Sequence, residues 1–314
     1  MSGLRAMAEE YLVMRRALGF KLETWGPRLM SFIAFCEERG ATTVTTDLAV
    51  QWATTPARGS DHEAYQARRL DVVRIFARHL QPLDPATEVP AEDVLDRRQW
   101  RIPPYLYSPQ EVTALMTAAR TLQPAFRALT WRTLIGLLAV TGMRQGEACR
   151  LACGDVDLNA ETVTIADSKF GKSRMVFLHP TAAAALRAYD RARDEAFPGP
   201  AADTFLVNSR GGPLDSHNTS KTFAELVTTA GIKAPPGQRA PRLHDLRHVF
   251  TVATLLDWYR DGGDVQARLP VLSTWLGHID PKSTYYYLSA VPELLALAAA
   301  RLEPAGRDDE REAS

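Results

Sequence analysis

The sequence predicts a mainly α-helical protein with one small antiparallel β-hairpin or sheet. It divides into a helical N-terminal domain and a mixed α/β second domain. Three observations point there. Apolar residues recur at helical spacing through most of the chain, and two short β-branched runs flank a polar, lysine-bearing tip in its second half. Five prolines (Pro82, Pro85, Pro90, Pro103 and Pro104) crowd one stretch between the two domains. A length of 314 residues suits two domains better than one.

Residues 1–81 read as four helices. Leu4, Met7, Ala8, Tyr11 and Leu12 mark the first; Trp25, Leu29, Phe32, Ile33 and Cys36 mark the second, which Gly40 ends. Thr46 or Asp47 can cap a third through Leu48, Val50 and Trp52. A fourth, from about Asp61 to Leu80, turns Leu70, Val73, Phe76, Ala77 and Leu80 inward. Its arginines, Arg68, Arg69, Arg74 and Arg78, form either a solvated basic face or a set of DNA contacts.

The prolines place an interdomain linker over residues 82–107, and the second domain spans 108–302. It opens on Ser108, Pro109 and Glu111, a capping box with proline at the first helical position. Trp131 to Thr141 is apolar almost all round, the pattern of a buried central helix. Thr162–Ala166 and Arg174–Leu178 read as strands around a hairpin tip at 167–173. Helices follow at about 180–195, 217–230, 244–260, 268–277, 281–288 and 292–302. In the 244–260 helix, Leu246, Val249, Phe250, Ala253 and Leu256 would face the core, and Gly262-Gly263 ends it. Residues 303–314 read as a disordered polar tail.

Composition narrows the function classes. Apolar residues make up 46% and charged residues 24%, which fits a soluble globular protein. The longest apolar run, Leu134 to Val140, is too short to cross a membrane, and the N-terminus shows no signal-peptide core, so the chain reads as cytoplasmic. Cys36, Cys149 and Cys153 are too sparse for a disulfide framework. A helix would set Cys149 and Cys153 on one face, but with no companion pair of His or Cys they read as apolar filler, not zinc ligands. Net charge is zero, a mild strike against DNA binding; without the acidic tail, net −3, the remaining residues carry +3. A local basic groove is compatible with either balance.

Four separated segments carry candidate chemistry. Arg144 follows the apolar helix, where a guanidinium needs a partner or a bound anion, and Glu147 lies three residues on to orient it. Lys169 and Lys172 sit on the hairpin tip. His244 and Arg247 share a helix face near an N-terminus, a setting that favours a phosphate, with Asp245 as a first-turn residue and His248 beside them. Leu276-Gly277-His278 precedes Tyr285-Tyr286-Tyr287, of which only one ring can face a given pocket, since helical neighbours point about 100° apart. No cluster of carboxylates suggests a metal site.

In this order and spacing, the segments resemble the tyrosine recombinases, the family of phage integrases and Xer-type recombinases. The carriers are Arg144 in Thr-Gly-Met-Arg-Gln-Gly-Glu, Lys169 on a hairpin, the His244/Arg247 pair, His278 after Leu-Gly, and Tyr287 nine residues beyond. Phe170 departs from a common glycine, which leaves Lys172 as the alternative hairpin lysine. The likeness spans about residues 108–302, and the helical N-terminal region is similar to the family's SAM-like core-binding domain. Leu137–Arg144 and Leu256–Tyr259 also resemble integrase-like proteins of bacterial mobile elements.

The resemblance implies a site-specific DNA recombinase acting through a 3′-phosphotyrosyl link and a Holliday junction, without cofactor, metal or ATP. Tyr287 would be the nucleophile, Arg144 and Arg247 the phosphate clamp, and Lys169 the proton donor to the leaving oxygen. His244 would take the tyrosine proton and His278 would hydrogen-bond the phosphate, with Glu147 and His248 in support. Lys172 and Arg174 join the helix arginines as possible DNA contacts. Partners would be double-stranded DNA sites and a homotetramer, with Pro292–Leu302 docking either on a neighbour or on its own domain. No extra arm-binding domain is apparent ahead of the first helix, which weighs against a lambda-type integrase. A mobile-element role is favoured. Alternatives are a type IB topoisomerase-like enzyme, a silent DNA-binding regulator and a metal-dependent nuclease.

Overall fold

The computed structural model describes residues 3–55, 63–95, 104–166, 173–199, 202–278, 284–285 and 292–302. The chain divides into two compact units, Met1–Arg101 and Ile102–Ser314.

The first unit is built from α1 (Leu4–Ala17), α2 (Trp25–Glu37), α3 (Thr46–Thr54) and α4 (Glu63–Leu80). The residues placed on inward faces by their spacing form its core: Leu29, Phe32, Ile33, Leu70, Val73 and Phe76 have no exposed surface. The cap of α3 is Thr45, not Thr46 or Asp47. Its backbone is extended and its hydroxyl accepts from the Leu48 amide at 3.3 Å, so the two expected caps fall inside the first turn.

Two of the four helix arginines, expected as possible DNA contacts, serve as internal struts. Arg74, 2% exposed, pairs with Asp71 and donates to the carbonyls of Pro90 (2.8 Å) and Ala91 (2.7 Å). Arg69 is 7% exposed; it donates to Thr55 O at 2.7 Å and lies over the Trp52 ring. Both donate to backbone carbonyls within the unit, and Arg74 also to the Asp71 carboxylate. Arg68 and Arg78 are exposed, Arg78 pairing with Glu92 at 3.1 Å. The Arg74 bonds also reach into the stretch expected as a linker. Pro90 and Ala91 are tied to α4, Glu88 N donates to Val44 O at 2.8 Å, and Tyr105 and Tyr107 are buried in the second unit. Much of 82–107 is therefore packed structure.

The second unit begins with α5 (Pro109–Ala119), on which the Ser108–Glu111 capping box is complete in both directions. Then come the central α6 (Ala125–Thr141), the short α7 (Gln145–Arg150) and a three-stranded antiparallel sheet of β1 (Val156–Asp157), β2 (Thr162–Ile165) and β3 (Arg174–Phe177). The β2–β3 register pairs Val163 with Val176 and Ile165 with Arg174, which buries both valines. The strand β1 is too short to show a period in sequence. Because α7 stops at Arg150 and Cys153 begins a 3-10 turn, Cys149 and Cys153 share no helix.

The unit is completed by α8 (Pro180–Ala196), α9 (Ser216–Thr229), α10 (Asp245–Arg260), α11 (Val265–Leu276) and α12 (Pro292–Leu302). The inward face of α10 differs from expectation. Leu246 is buried, but Ala253 is exposed and Val249, Phe250 and Leu256 are half-buried, while Thr251, Val252 and Leu255 are buried. It packs against α6, α11 and α12 at once, so a single stripe does not describe it. Leu294 of α12 is fully buried in a cluster with Val252, Leu255 and Leu269, and Arg260 pairs with Glu293 at 2.8 Å; this helix is docked on its own domain. Among the described residues, no helix is long and apolar enough to cross a membrane.

Candidate active site

Two left-handed glycines shape the site. α6 ends at Gly142 (φ 63°), where a Cβ would fall 2.4 Å from the Phe250 ring. Only glycine lets α10 pass this close while the chain turns toward α7. α11 ends at Gly277 (φ 64°), where a Cβ would fall 2.8 Å from Arg174 Nη1 and 3.5 Å from Arg144 Nη1. Trp275 Nε1 ties the two helix ends together by donating to Thr141 O at 2.9 Å.

Arg247, in the first turn of α10, bridges both ends: Nη1 donates to Gly142 O at 2.8 Å and Nη2 to Leu276 O at 2.6 Å. Its 2% exposure leaves a charge deep in the fold. The terminal carbonyls of α6 and α11, the negative ends of helix dipoles, compensate it. Arg144 lies in extended backbone just before α7. Its Nη2 donates to Gly277 O at 2.8 Å and its Nη1 to Glu147 Oε1 at 2.7 Å, while its side chain stays 28% exposed.

Glu147, almost wholly buried, is the hub. Its carboxylate also accepts from the Arg144 amide (2.8 Å) and from both terminal nitrogens of Arg174 (3.1 and 2.7 Å). Burial alone would raise its pKa, but these donors, Arg174 foremost, hold it down to about 2. Arg174, expected as a possible DNA contact, is engaged internally: its side chain is 7% exposed, and Nε donates to Trp275 O at 2.6 Å. It ties β3 to α11 and to the Glu147 carboxylate.

His244 occupies the N-cap position of α10, its ring edge-on to His248 with centroids 5.2 Å apart. Burial, then the charges of Arg247 and Arg242, lower the His244 pKa; burial and His244 push His248 down to about 3. Asp245, fully buried, accepts from the Arg242 amide (2.8 Å) and guanidinium (3.1 Å), pinning the entry to the helix. His278 follows Gly277. Its Nδ1 lies 2.7 Å from Thr284 Oγ1, and burial with the charges of Arg247, Arg144 and Arg174 pushes its pKa down to about 4.

Arg144, Arg247, His244 and His278, with Glu147 and His248, thus gather where the α6–α7 junction, the α10 start and the α11 end meet. Lys169, Lys172, Tyr286 and Tyr287 lie outside the described residues; Tyr285 is exposed and reaches Gln266 at 3.5 Å. Sequence reading missed Gly277 as the contact point of two arginines, the Trp275 tie, and Ser273 and Thr284. The glycine carried a signal, since it interrupts a helical run directly before a histidine. The half-exposed Arg144, with neutral imidazoles beside it, suits an anion of phosphate geometry.

Comparison with known proteins gives a consistent result. Residues 106–293 match the model of the phage integrase family. The chain is 40% identical to y4rB of Sinorhizobium fredii, a protein named for the integrase/recombinase class, over 96% of this chain and 98% of that one. It is 29% identical to the tyrosine recombinase XerC of Bacillus subtilis over 73% of this chain and 71% of that protein. Its fold is similar to that of a lambda integrase tetramer bound to a Holliday junction, with a TM-score of 0.62 at 19% identity, covering 90% of this chain and 79% of the other.

Proposed function

This chain belongs to the phage integrase family, and from that premise we propose how its own residues cut and rejoin DNA. It is a site-specific DNA recombinase, and its partner is DNA. The observation that carries the residue assignment is the convergence of Arg144 and Arg247 on the consecutive carbonyls of Gly277 and Leu276, with His278 next in the chain.

The phenol oxygen of Tyr287 attacks the scissile phosphorus. The phosphorus–O5′ bond breaks and a 3′-phosphotyrosyl ester forms. Arg144 and Arg247 receive the non-bridging oxygens, His278 adds a hydrogen bond, and His244 accepts the phenol proton. The leaving 5′ oxygen takes a proton from Lys169, with Lys172 as the other candidate. Because the ester conserves the bond, a 5′-hydroxyl from a partner strand displaces the tyrosine without nucleotide hydrolysis.

Exchange between two duplexes proceeds through a Holliday junction and involves four strands, hence four copies of the site, and a homotetramer on DNA supplies them. The lambda integrase tetramer on a Holliday junction supports that assembly by its shared fold. A mobile-element role agrees with the resemblance of Leu137–Arg144 and Leu256–Tyr259 to such integrases.

The test is covalent trapping on nicked suicide substrates drawn from the neighbourhood of the gene, in excess chelator, followed by mapping of the modified residue. A Tyr287 adduct and recombinant products between two sites are expected. Relaxation of supercoiled plasmid without site preference would identify a topoisomerase instead.

A further inference from the structure

We propose that Ser273 and Thr284 form a hydroxyl relay that sets the tautomer of His278, holding its proton on Nε2, and that Thr284 is therefore a positioning residue for strand cleavage. This rests on the site reading above.

Three polar groups stand in line. Ser273 Oγ lies 2.7 Å from Thr284 Oγ1, which lies 2.7 Å from His278 Nδ1. Thr284 has no exposed surface and Ser273 is 6% exposed, so water does not compete freely for either hydroxyl. Each hydroxyl has one proton; were both neighbours to donate to Thr284, its own proton would have no acceptor among the described residues, so the chain runs in one of two directions. In one, Ser273 donates to Thr284, and Thr284 donates to Nδ1. In the other, Nδ1–H donates to Thr284, Thr284 donates to Ser273, and the Ser273 proton needs a further acceptor. Among the described residues, Ser273 Oγ has no hydrogen-bond partner besides Thr284. The second direction therefore strands a buried donor, at a cost of about 1–3 kcal/mol. The first satisfies every group and leaves Nδ1 as an acceptor.

The choice matters because His278 is neutral near pH 7, its pKa pushed down to about 4 by burial and the neighbouring guanidiniums. A neutral imidazole has a single N–H. With Nδ1 engaged by Thr284, that N–H is on Nε2, free to donate to a phosphoryl oxygen. The Nδ1-protonated ring would present a lone pair to an anion instead. Thr284 also stands three residues before Tyr287, so the same hydroxyl ties the histidine to the segment carrying the nucleophile.

The experiment combines nitrogen-15 NMR of histidine-labelled full-length protein with single-turnover attachment to a suicide substrate. The His278 signals are assigned by their loss in His278→Gln. The wild type should show the Nε2–H tautomer. Thr284→Val should mix the tautomers and slow attachment about ten-fold, the worth of one ordinary hydrogen bond. Thr284→Ser should restore both. An Nδ1–H tautomer in the wild type overturns the proposal, as does a Thr284→Val protein that keeps the wild-type tautomer, whatever its rate. The wild-type spectrum is decisive even where the valine variant fails to fold. A wild type that never attaches to DNA would defeat the site reading instead, while the tautomer stands or falls on its spectrum.

Discussion

Arg144 and Gly277 meet through a 2.8 Å hydrogen bond from a guanidinium nitrogen to a carbonyl oxygen, across 133 positions of sequence. The contact joins the end of one helix to the start of another. It leaves the outer edge of the guanidinium open. Arg144 and the buried Arg247 therefore differ in what their loss should do.

Arg144→Ala should slow covalent attachment at least about a hundred-fold, as losing a donor to a developing anion does. Its stability cost should stay within about 1 kcal/mol, because the side chain is partly exposed and Glu147 keeps Arg174. Arg247→Ala should lose cleavage and also about 2–5 kcal/mol of stability, since Gly142 O and Leu276 O lose their side-chain donor in a buried setting. Denaturant melts beside suicide-substrate assays separate the two patterns, and matching stability losses would contradict the burial contrast.

Tyr287→Phe should abolish the adduct while binding stays near normal, because only the nucleophilic oxygen is removed. Tyr285→Phe should cleave normally, consistent with its exposed position beside Gln266. Gel-shift and denaturing-gel measurements on the same substrate check both. Loss of the adduct in Tyr285→Phe would move the nucleophile.

Gly277→Ala should cost about 1–2 kcal/mol from left-handed backbone alone. It should cost more in activity, because the new methyl meets the Arg174 guanidinium. Gly262→Ala, at φ 77° with nothing within 4 Å, isolates the backbone contribution. Equal thermal shifts and equal cleavage in the two variants would remove Gly277 from the site.

Glu147→Gln should destabilise the second unit by about 3 kcal/mol or more, since it leaves Arg174 buried against a neutral partner. Calorimetry checks it, and a neutral outcome would mean that the Trp275 carbonyl suffices to hold that charge.

Acid should unfold the protein in two stages. His278 and His248 have folded pKa values of about 4 and about 3, below the ordinary 6.5, so the unfolded chain binds more protons as pH falls below 6.5. Stability should therefore drop from pH 6.5 toward 4. Glu147, held at about 2 against 4.5, contributes stability that is present above 4.5 and lost as pH falls through about 2. Melting temperature against pH, with His248→Gln flattening the upper stage, tests the order; a melting temperature that rises on acidification would reverse the sign.

Much of this was legible in the sequence because it depends on local rules. The Ser108–Glu111 cap, the apolar α6 and the β2–β3 pair follow from spacing alone. So does the Arg144–Glu147 pair, which is three residues apart. What escaped depends on tertiary packing. Arg69, Arg74 and Arg174 look like surface charge in sequence, yet each donates to a backbone carbonyl, which every residue carries and no motif marks. A single apolar stripe would place Ala253 in the core, but its helix packs on three neighbours and leaves it exposed. Ser273 and Thr284 gain meaning only when two hydroxyls and a ring nitrogen fall into line.

The anchoring of both guanidiniums by helix-end carbonyls has a thermodynamic consequence. An arginine side chain carries about 2 kcal/mol of rotamer freedom. Here that freedom is surrendered during folding, so a phosphodiester docking at the proposed site would find a rigid mould and freeze little further motion. Affinity for the ground state can then remain modest while the trigonal-bipyramidal arrangement, with its fuller equatorial charge, is gripped without delay.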